Sequence, residues 1–182
     1  MIYRKTLFTG LALLGLGLGM VGYTKLMART ASGAAPQMAA PEAMADEIRV
    51  NKAQREMVLL REGAEIARYE ISLGAAPEGH KAREGDERTP EGRYEIDWRN
   101  PNSVAHLSLH ISYPNAQDRA QAEAAGASPG GNIMIHALPN GWGALAGLHR
   151  AWDWTNGCIA VTNAEMDFIW AHVPNGTPIV IE

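Results

Sequence analysis

The chain has a single cysteine, Cys158, among 182 residues. No intramolecular disulfide can form, and a zinc site built mainly from thiolates is excluded. Positive charge is also scarce, with 16 Lys plus Arg against 20 Asp plus Glu. Residues 46–182 alone carry 12 basic and 19 acidic side chains. No basic stripe is long enough to follow a phosphate backbone, so no nucleic-acid partner is expected. Cofactor fingerprints are missing as well: there is no His-Glu-x-x-His run, P-loop or dinucleotide-binding glycine pattern. His149, Asp153 and Cys158 are too irregularly placed to suggest a metal site. Neither cofactor nor metal is expected. The length suits one domain of ordinary size and excludes a large multidomain enzyme, and no internal repeat is evident.

What the chain does have begins with an uncharged run from Thr6 to Thr24, preceded by Arg4 and Lys5. Its 19 residues approach the roughly 20 needed to span hydrocarbon as a helix, yet five glycines weaken it. Residues 1–28 are therefore expected to be a signal peptide or an uncleaved membrane anchor. Either places the rest of the chain outside the cytoplasm, periplasmic, secreted or held at the inner membrane. Because no cysteine follows the apolar run, a lipid-modified N-terminal cysteine is excluded. Residues 29–45, rich in alanine with two prolines, are expected to be a flexible linker. Residues 46–182 form the expected folded unit. Monomeric behaviour fits, but the sequence does not set the oligomeric state.

The folded part is expected to be mostly β with short helices. Arg49–Arg61 reads as a strand, turning at Gly63 into one that places Ala67, Tyr69, Ile71 and Leu73 on one face. Period-two alternation recurs at Tyr94, Ile96 and Trp98, and again at Leu107, Leu109 and Ile111. A turn at 89–92 leads into the first of these. Asn115 caps a short helix running to Gly126, and 132–138 returns to strand. Thr162 and Glu165 form a capping box ahead of a helix burying Met166, Ile169, Trp170 and Val173. Residues 177–181 read as a closing strand.

Cys158 lies between a polar segment and a short apolar strand, in Trp154-Thr155-Asn156-Gly157-Cys158-Ile159. Gly157 lets the backbone approach a ligand, and the N–H groups of Gly157 and Cys158 suit a developing oxyanion. A nucleophilic thiol needs a base, and six histidines are available. His136 ends the apolar run Ile133-Met134-Ile135. His149 lies nine residues before the cysteine on a glycine-rich loop. His172 falls late in a capped helix, where a surface histidine is common. These residues leave two readings open, a Cys/His acyl-transfer site and an inert buried cysteine.

From Gly131 to Ile181 the chain resembles the YkuD-type L,D-transpeptidase catalytic domain. The family pattern of a histidine closing a strand and a later Ser/Thr-His-Gly-Cys segment is matched by His136, Thr155, Asn156, Gly157 and Cys158. Gly85-Asp86-Glu87-Arg88-Thr89-Pro90 and Pro129-Gly130-Gly131 extend the likeness over about 46–182. The resemblance implies a β-sandwich-like catalytic domain acting on peptidoglycan stem peptides. Cys158 would attack the third stem residue's carbonyl, with His136 moving the proton and Gly157 and Cys158 N–H groups holding the oxyanion. A second stem's amine would give a 3→3 cross-link, and a protein lysine is another acceptor. Water would give carboxypeptidase or endopeptidase activity; an inactive wall-binding module is a further alternative.

Two positions depart from the family pattern. Asn156 stands where the second histidine is usual, and Ala160 where arginine is common. Arg150 is expected to grip a substrate carboxylate in that arginine's place. His149, Thr155, Asn156 and Trp142 complete the expected substrate-binding set.

Overall fold

The computed structural model describes residues 17–30 and 33–182. Most of the expected export segment, residues 1–16, lies outside the described residues. Eight strands form one sheet in the order β3-β2-β1-β8-β4-β5-β6-β7. They are β1 (Glu47–Asn51), β2 (Glu56–Arg61), β3 (Ala64–Glu70), β4 (Gly92–Ser103), β5 (His106–Ile111), β6 (Met134–His136), β7 (Ile159–Ala160) and β8 (Pro178–Ile181). Most pairs are antiparallel, but β8 enters parallel to β1, and β7 lies parallel to β6. Beyond β3 the chain pairs Ser72 with Ala160 and Gly74 with Thr155. The sheet therefore curls until its first and last strands approach each other, enclosing the core.

The expected first strand proves to be two, with Lys52–Arg55 turning between them and Arg55 at φ +54°. The reason is visible in the register, since β1 and β2 are antiparallel partners that place Val50 opposite Met57. In β4, Tyr94 and Ile96 are buried as the alternation requires, but Trp98 is exposed. A register shift between Ile96 and Trp98 breaks the period there. Buried Ile48, Met57, Leu59, Ile71, Leu73, Leu109, Ile135 and Ile159 fill the interior. Each such side chain contributes about 1.5–3 kcal/mol relative to exposure.

Two helices flank the sheet. In α1 (Ala116–Ala124), Asn115 and Asp118 form a reciprocal capping box. In α2 (Asn163–His172), Thr162 and Glu165 do the same, and Met166, Ile169 and Trp170 face inward. The predicted helix faces and caps are thus present.

The last residues of the expected linker, 39–45, lie against the domain. Ala39 and Ala45 donate N–H bonds to the Ala171 and His172 carbonyls at the end of α2. Arg61 reaches back to the Pro41 and Met44 carbonyls, and Ala45 is buried. These bonds satisfy carbonyls that a helix C-terminus leaves open, which is why the segment lies on the domain. Residues 17–27 are helical. Among the described residues no helix is long and apolar enough to cross a membrane.

Candidate active site

Cys158 opens β7 from the inside of a tight turn. The Thr155 hydroxyl donates to the Cys158 carbonyl at 2.8 Å and accepts from the Gly157 N–H at 3.1 Å. Gly157 has φ +114°, and a Cβ there would lie 2.5 Å from the Arg88 carbonyl oxygen. Gly74 is equally tight, since its Cβ would meet the Glu87 oxygen at 2.0 Å. The 74–92 segment thus presses backbone to backbone against the cysteine turn, which requires glycine on both sides.

The same segment is held from within by ions. Lys81 and Asp86 are both buried and pair at 2.8 Å. Burial pushes the Asp86 carboxyl up, but Lys81 and the N–H groups of Arg83, Ala82 and Arg88 outweigh it and hold it at about 2. Buried Lys52 binds the Gly79 and Thr89 carbonyls and Glu91.

The Cys158 sulfur lies 3.4 Å from the Met134 N–H and 3.7 Å from the Asn132 carbonyl. Burial pushes the thiol up from its ordinary value, while the Met134 N–H and the Lys81 charge pull it down. The net direction is up, so the resting sulfur is a thiol. Two residues along β6, His136 Nδ1 lies 2.6 Å from the Ala137 carbonyl. A carbonyl only accepts, so Nδ1 carries the proton and Nε2 of the neutral ring is a bare acceptor. Burial holds this imidazole below its ordinary 6.5, the Ala137 bond opposes, and His149 depresses it further. The result is a neutral imidazole at the end of β6 and a neutral thiol against the start of the same strand. Trp154 packs edge-on against the His136 ring, centroids 5.8 Å apart.

The remaining expected residues are distributed unequally. His149 is buried in the 137–157 loop, its Nδ1 at 3.2 Å from the Ser72 hydroxyl. Trp142 donates to the Thr24 hydroxyl at 3.1 Å. It lines a cavity of about 270 Å³ together with Leu138, Leu148, His149 and Trp154. Asn156 is exposed beside the cysteine turn. The Gly157 N–H, expected to face an oxyanion, donates to the Thr155 hydroxyl. Arg150 is bound by Glu165 at 2.5 Å and Glu70 at 3.3 Å. Ala160 is fully buried and exchanges backbone bonds with Ser72, so an arginine there has no room.

Several contributors carry no sequence signature. The Met134 N–H and Ala137 carbonyl are backbone groups whose roles follow from strand register alone. Asp153, considered as a metal ligand, instead binds Arg55 and the Leu73 N–H, fixing the loop's return to the sheet. Ser72 is the one contributor with a visible hint, a small polar residue between Ile71 and Leu73, both buried.

Escherichia coli (strain K12) YafK is 32% identical over 108 residues, covering 58% of this chain and 36% of its own length. The chain thus spans about a third of the length of the curated relatives it matches. Among solved structures, Bdellovibrio bacteriovorus Bd1075 is 25% identical with a TM-score of 0.53, over 82% of this chain and 52% of its own. The helical cell shape determining protein Pgp2 of Campylobacter jejuni shares the fold, with a TM-score of 0.57 at 23% identity. That likeness covers 87% of this chain and 55% of Pgp2. Residues 45–181 match the YkuD family, the L,D-transpeptidase catalytic domain, and with that match over three quarters of its length the chain belongs to this family.

Proposed function

We propose that this chain is a cysteine-dependent L,D-transpeptidase acting on peptidoglycan tetrapeptide stems outside the cytoplasm. The observation that carries the reading is the joint placement of Cys158 and His136. The sulfur sits at the Met134 N–H, two residues along the strand from an imidazole locked with Nε2 bare. His136 Nε2 takes the thiol proton as the sulfur attacks the carbonyl of the third stem residue. The Cys158 N–H faces the oxyanion. The imidazolium then protonates the departing D-alanine amine, leaving a thioester on Cys158. A second stem's side-chain amine attacks that thioester, the C–N bond of the 3→3 link forming as the C–S bond breaks, and the amine's proton passes by way of an imidazole to the sulfur to restore the thiol. Export rests on Arg4, Lys5 and the uncharged run that follows, with residues 46–182 as the catalytic unit.

The test is incubation of the purified protein with disaccharide-tetrapeptide, followed by product masses. A cross-linked dimer with release of D-alanine is expected, together with an acyl adduct on Cys158 after carbapenem exposure. Cys158→Ala should remove both while unfolding at a near-parental denaturant midpoint. Turnover by Cys158→Ala at the parental rate would overturn the assignment. Tripeptide without dimer would make the protein a carboxypeptidase.

A further inference from the structure

We propose that His149 receives the amine of the acyl acceptor, making the cavity beside it the acceptor subsite. The proposal rests on the acyl-transfer reading above and assigns its second half-reaction. The starting point is the proton count around Ser72. Its hydroxyl lies 2.8 Å from the His149 carbonyl and 3.2 Å from His149 Nδ1. A hydroxyl has one hydrogen, and a carbonyl only accepts, so that hydrogen goes to the His149 oxygen. The bond at Nδ1 is then donated by the ring, and Nε2 of the neutral imidazole is left as an acceptor.

That Nε2 is buried and has no hydrogen-bond partner among the described residues. The same is true of the Trp154 indole N–H. Both residues line the cavity of about 270 Å³, whose other walls include Leu138, Trp142, Leu145 and Leu148. Buried polar groups are normally satisfied, so an orphaned acceptor and an orphaned donor in two residues that wall one apolar cavity point to a ligand that reaches both as their rings turn toward it. Trp154 connects the cavity to the reaction centre through its edge contact with His136. Burial and the neighbouring Arg150 hold His149 below its ordinary 6.5, with Glu165 opposing, which keeps Nε2 unprotonated at neutral pH.

The fitting chemistry is a primary amine on an aliphatic stem, with a carboxylate or carbonyl oxygen in the same residue. The amine donates to His149 Nε2, the oxygen accepts from the Trp154 N–H, and the stem lies against the leucines and Trp142. In the transfer step the amine nitrogen forms the new C–N bond as the C–S bond breaks. The electron pair leaves on the Cys158 sulfur, and the amine proton passes to His149. His149 supplies a second imidazole from the loop that precedes the cysteine turn.

The deciding measurement is the partition of the acyl-enzyme between amine and water. The full-length protein is acylated with a tetrapeptide donor and offered a stem whose third residue bears a side-chain amine and carboxylate. Dimer and hydrolysed tripeptide are counted by mass. His149→Ala should lower the dimer-to-tripeptide ratio at least tenfold and raise KM for the acceptor. His149→Gln, whose amide oxygen accepts the same N–H, should recover part of the ratio. Trp154→Phe should lower it only for the acceptor that carries the carboxylate. An unchanged ratio, or dimer and acyl-enzyme falling in parallel in both His149 variants, would overturn the proposal. So would a parental protein that forms acyl-enzyme but no dimer. Absence of any acyl-enzyme in the parental protein would instead overturn the acyl-transfer reading itself, and this proposal with it.

Discussion

Gly157 and Arg88 meet main chain to main chain, with space for a hydrogen but none for a methyl group between the Gly157 Cα and the Arg88 oxygen. At φ +114° an L side chain is strained even before the clash. Gly157→Ala should therefore lose about 3 kcal/mol or more, combining backbone strain with displacement of the 74–92 segment. Gly63 provides the comparison, because it has φ +77° but open space around its Cα. Gly63→Ala should cost only about 1 kcal/mol. Urea unfolding of both variants checks the difference, and equal losses would remove the close approach as the cause.

The depressed His136 places the acid limb of acylation below pH 6.5. The sign follows from the mechanism. The neutral imidazole is the working base, so rate is present above the folded pKa and is lost as pH falls through it. Burial is the main cause of the depression and His149 adds to it, opposed by the Ala137 bond. Carbapenem acylation followed by intact mass between pH 5 and 8 should stay level down to below 6.5. His136→Ala should slow it by about 10²–10⁴-fold and abolish the limb. An acid limb centred above pH 7 would contradict the assignment.

The strongly periodic parts of this fold were legible in the residues. Tyr94 and Ile96, Leu107 to Ile111 and the two capped helices have the inward faces their spacing requires. Cys158 and His136 were singled out by the family resemblance, since the residues alone left a Cys/His site and an inert cysteine both open among six histidines. The turn within Arg49–Arg61 was not, since it contains neither glycine nor proline and relies on Arg55 at positive φ. Nor could sequence tell that residues 39–45 close the end of α2, because alanines do so through backbone N–H groups alone. His149 and Trp154 meet on one cavity only after the 137–157 loop folds back under Asp153.

Lys81 and Asp86 form a buried pair whose loss has a defined pH signature. Asp86 has a folded pKa of about 2 against an ordinary 3.8. A depressed carboxyl stabilises the fold above its unfolded pKa, and that contribution disappears as pH falls from 3.8 through about 2. The decline attributable to Asp86 should be about 1–2 kcal/mol. Asp86→Asn should be destabilised by about 3–5 kcal/mol at pH 7, because the Lys81 ammonium stays buried without its counter-ion. Its stability should also lack this part of the acid decline. Urea midpoints from pH 2 to 7 provide the check, and identical pH slopes in the two proteins would dismiss the pair as their source.

Arg150 poses the sharpest choice between two roles. Its guanidinium joins Glu165, on the first turn of α2, to Glu70 at the end of β3. Glu165 simultaneously accepts the Thr162 N–H at 2.8 Å, so the arginine is tied to the helix cap itself. Gripping a substrate carboxylate would require exchanging both of these partners. We therefore expect Arg150 to position the 137–157 loop rather than read the substrate. Arg150→Ala should cost under about 1 kcal/mol of stability, since both pairs are partly exposed. It should lower kcat/KM through the displaced loop, and Arg150→Lys should recover only part, because an ammonium cannot bridge two carboxylates with a planar fork. The discriminating comparison uses a normal tetrapeptide and one with its carboxylate amidated. Equal penalties on both substrates fit the positioning role. A smaller penalty on the amidated substrate would show that the guanidinium leaves Glu165 and Glu70 to bind the carboxylate directly.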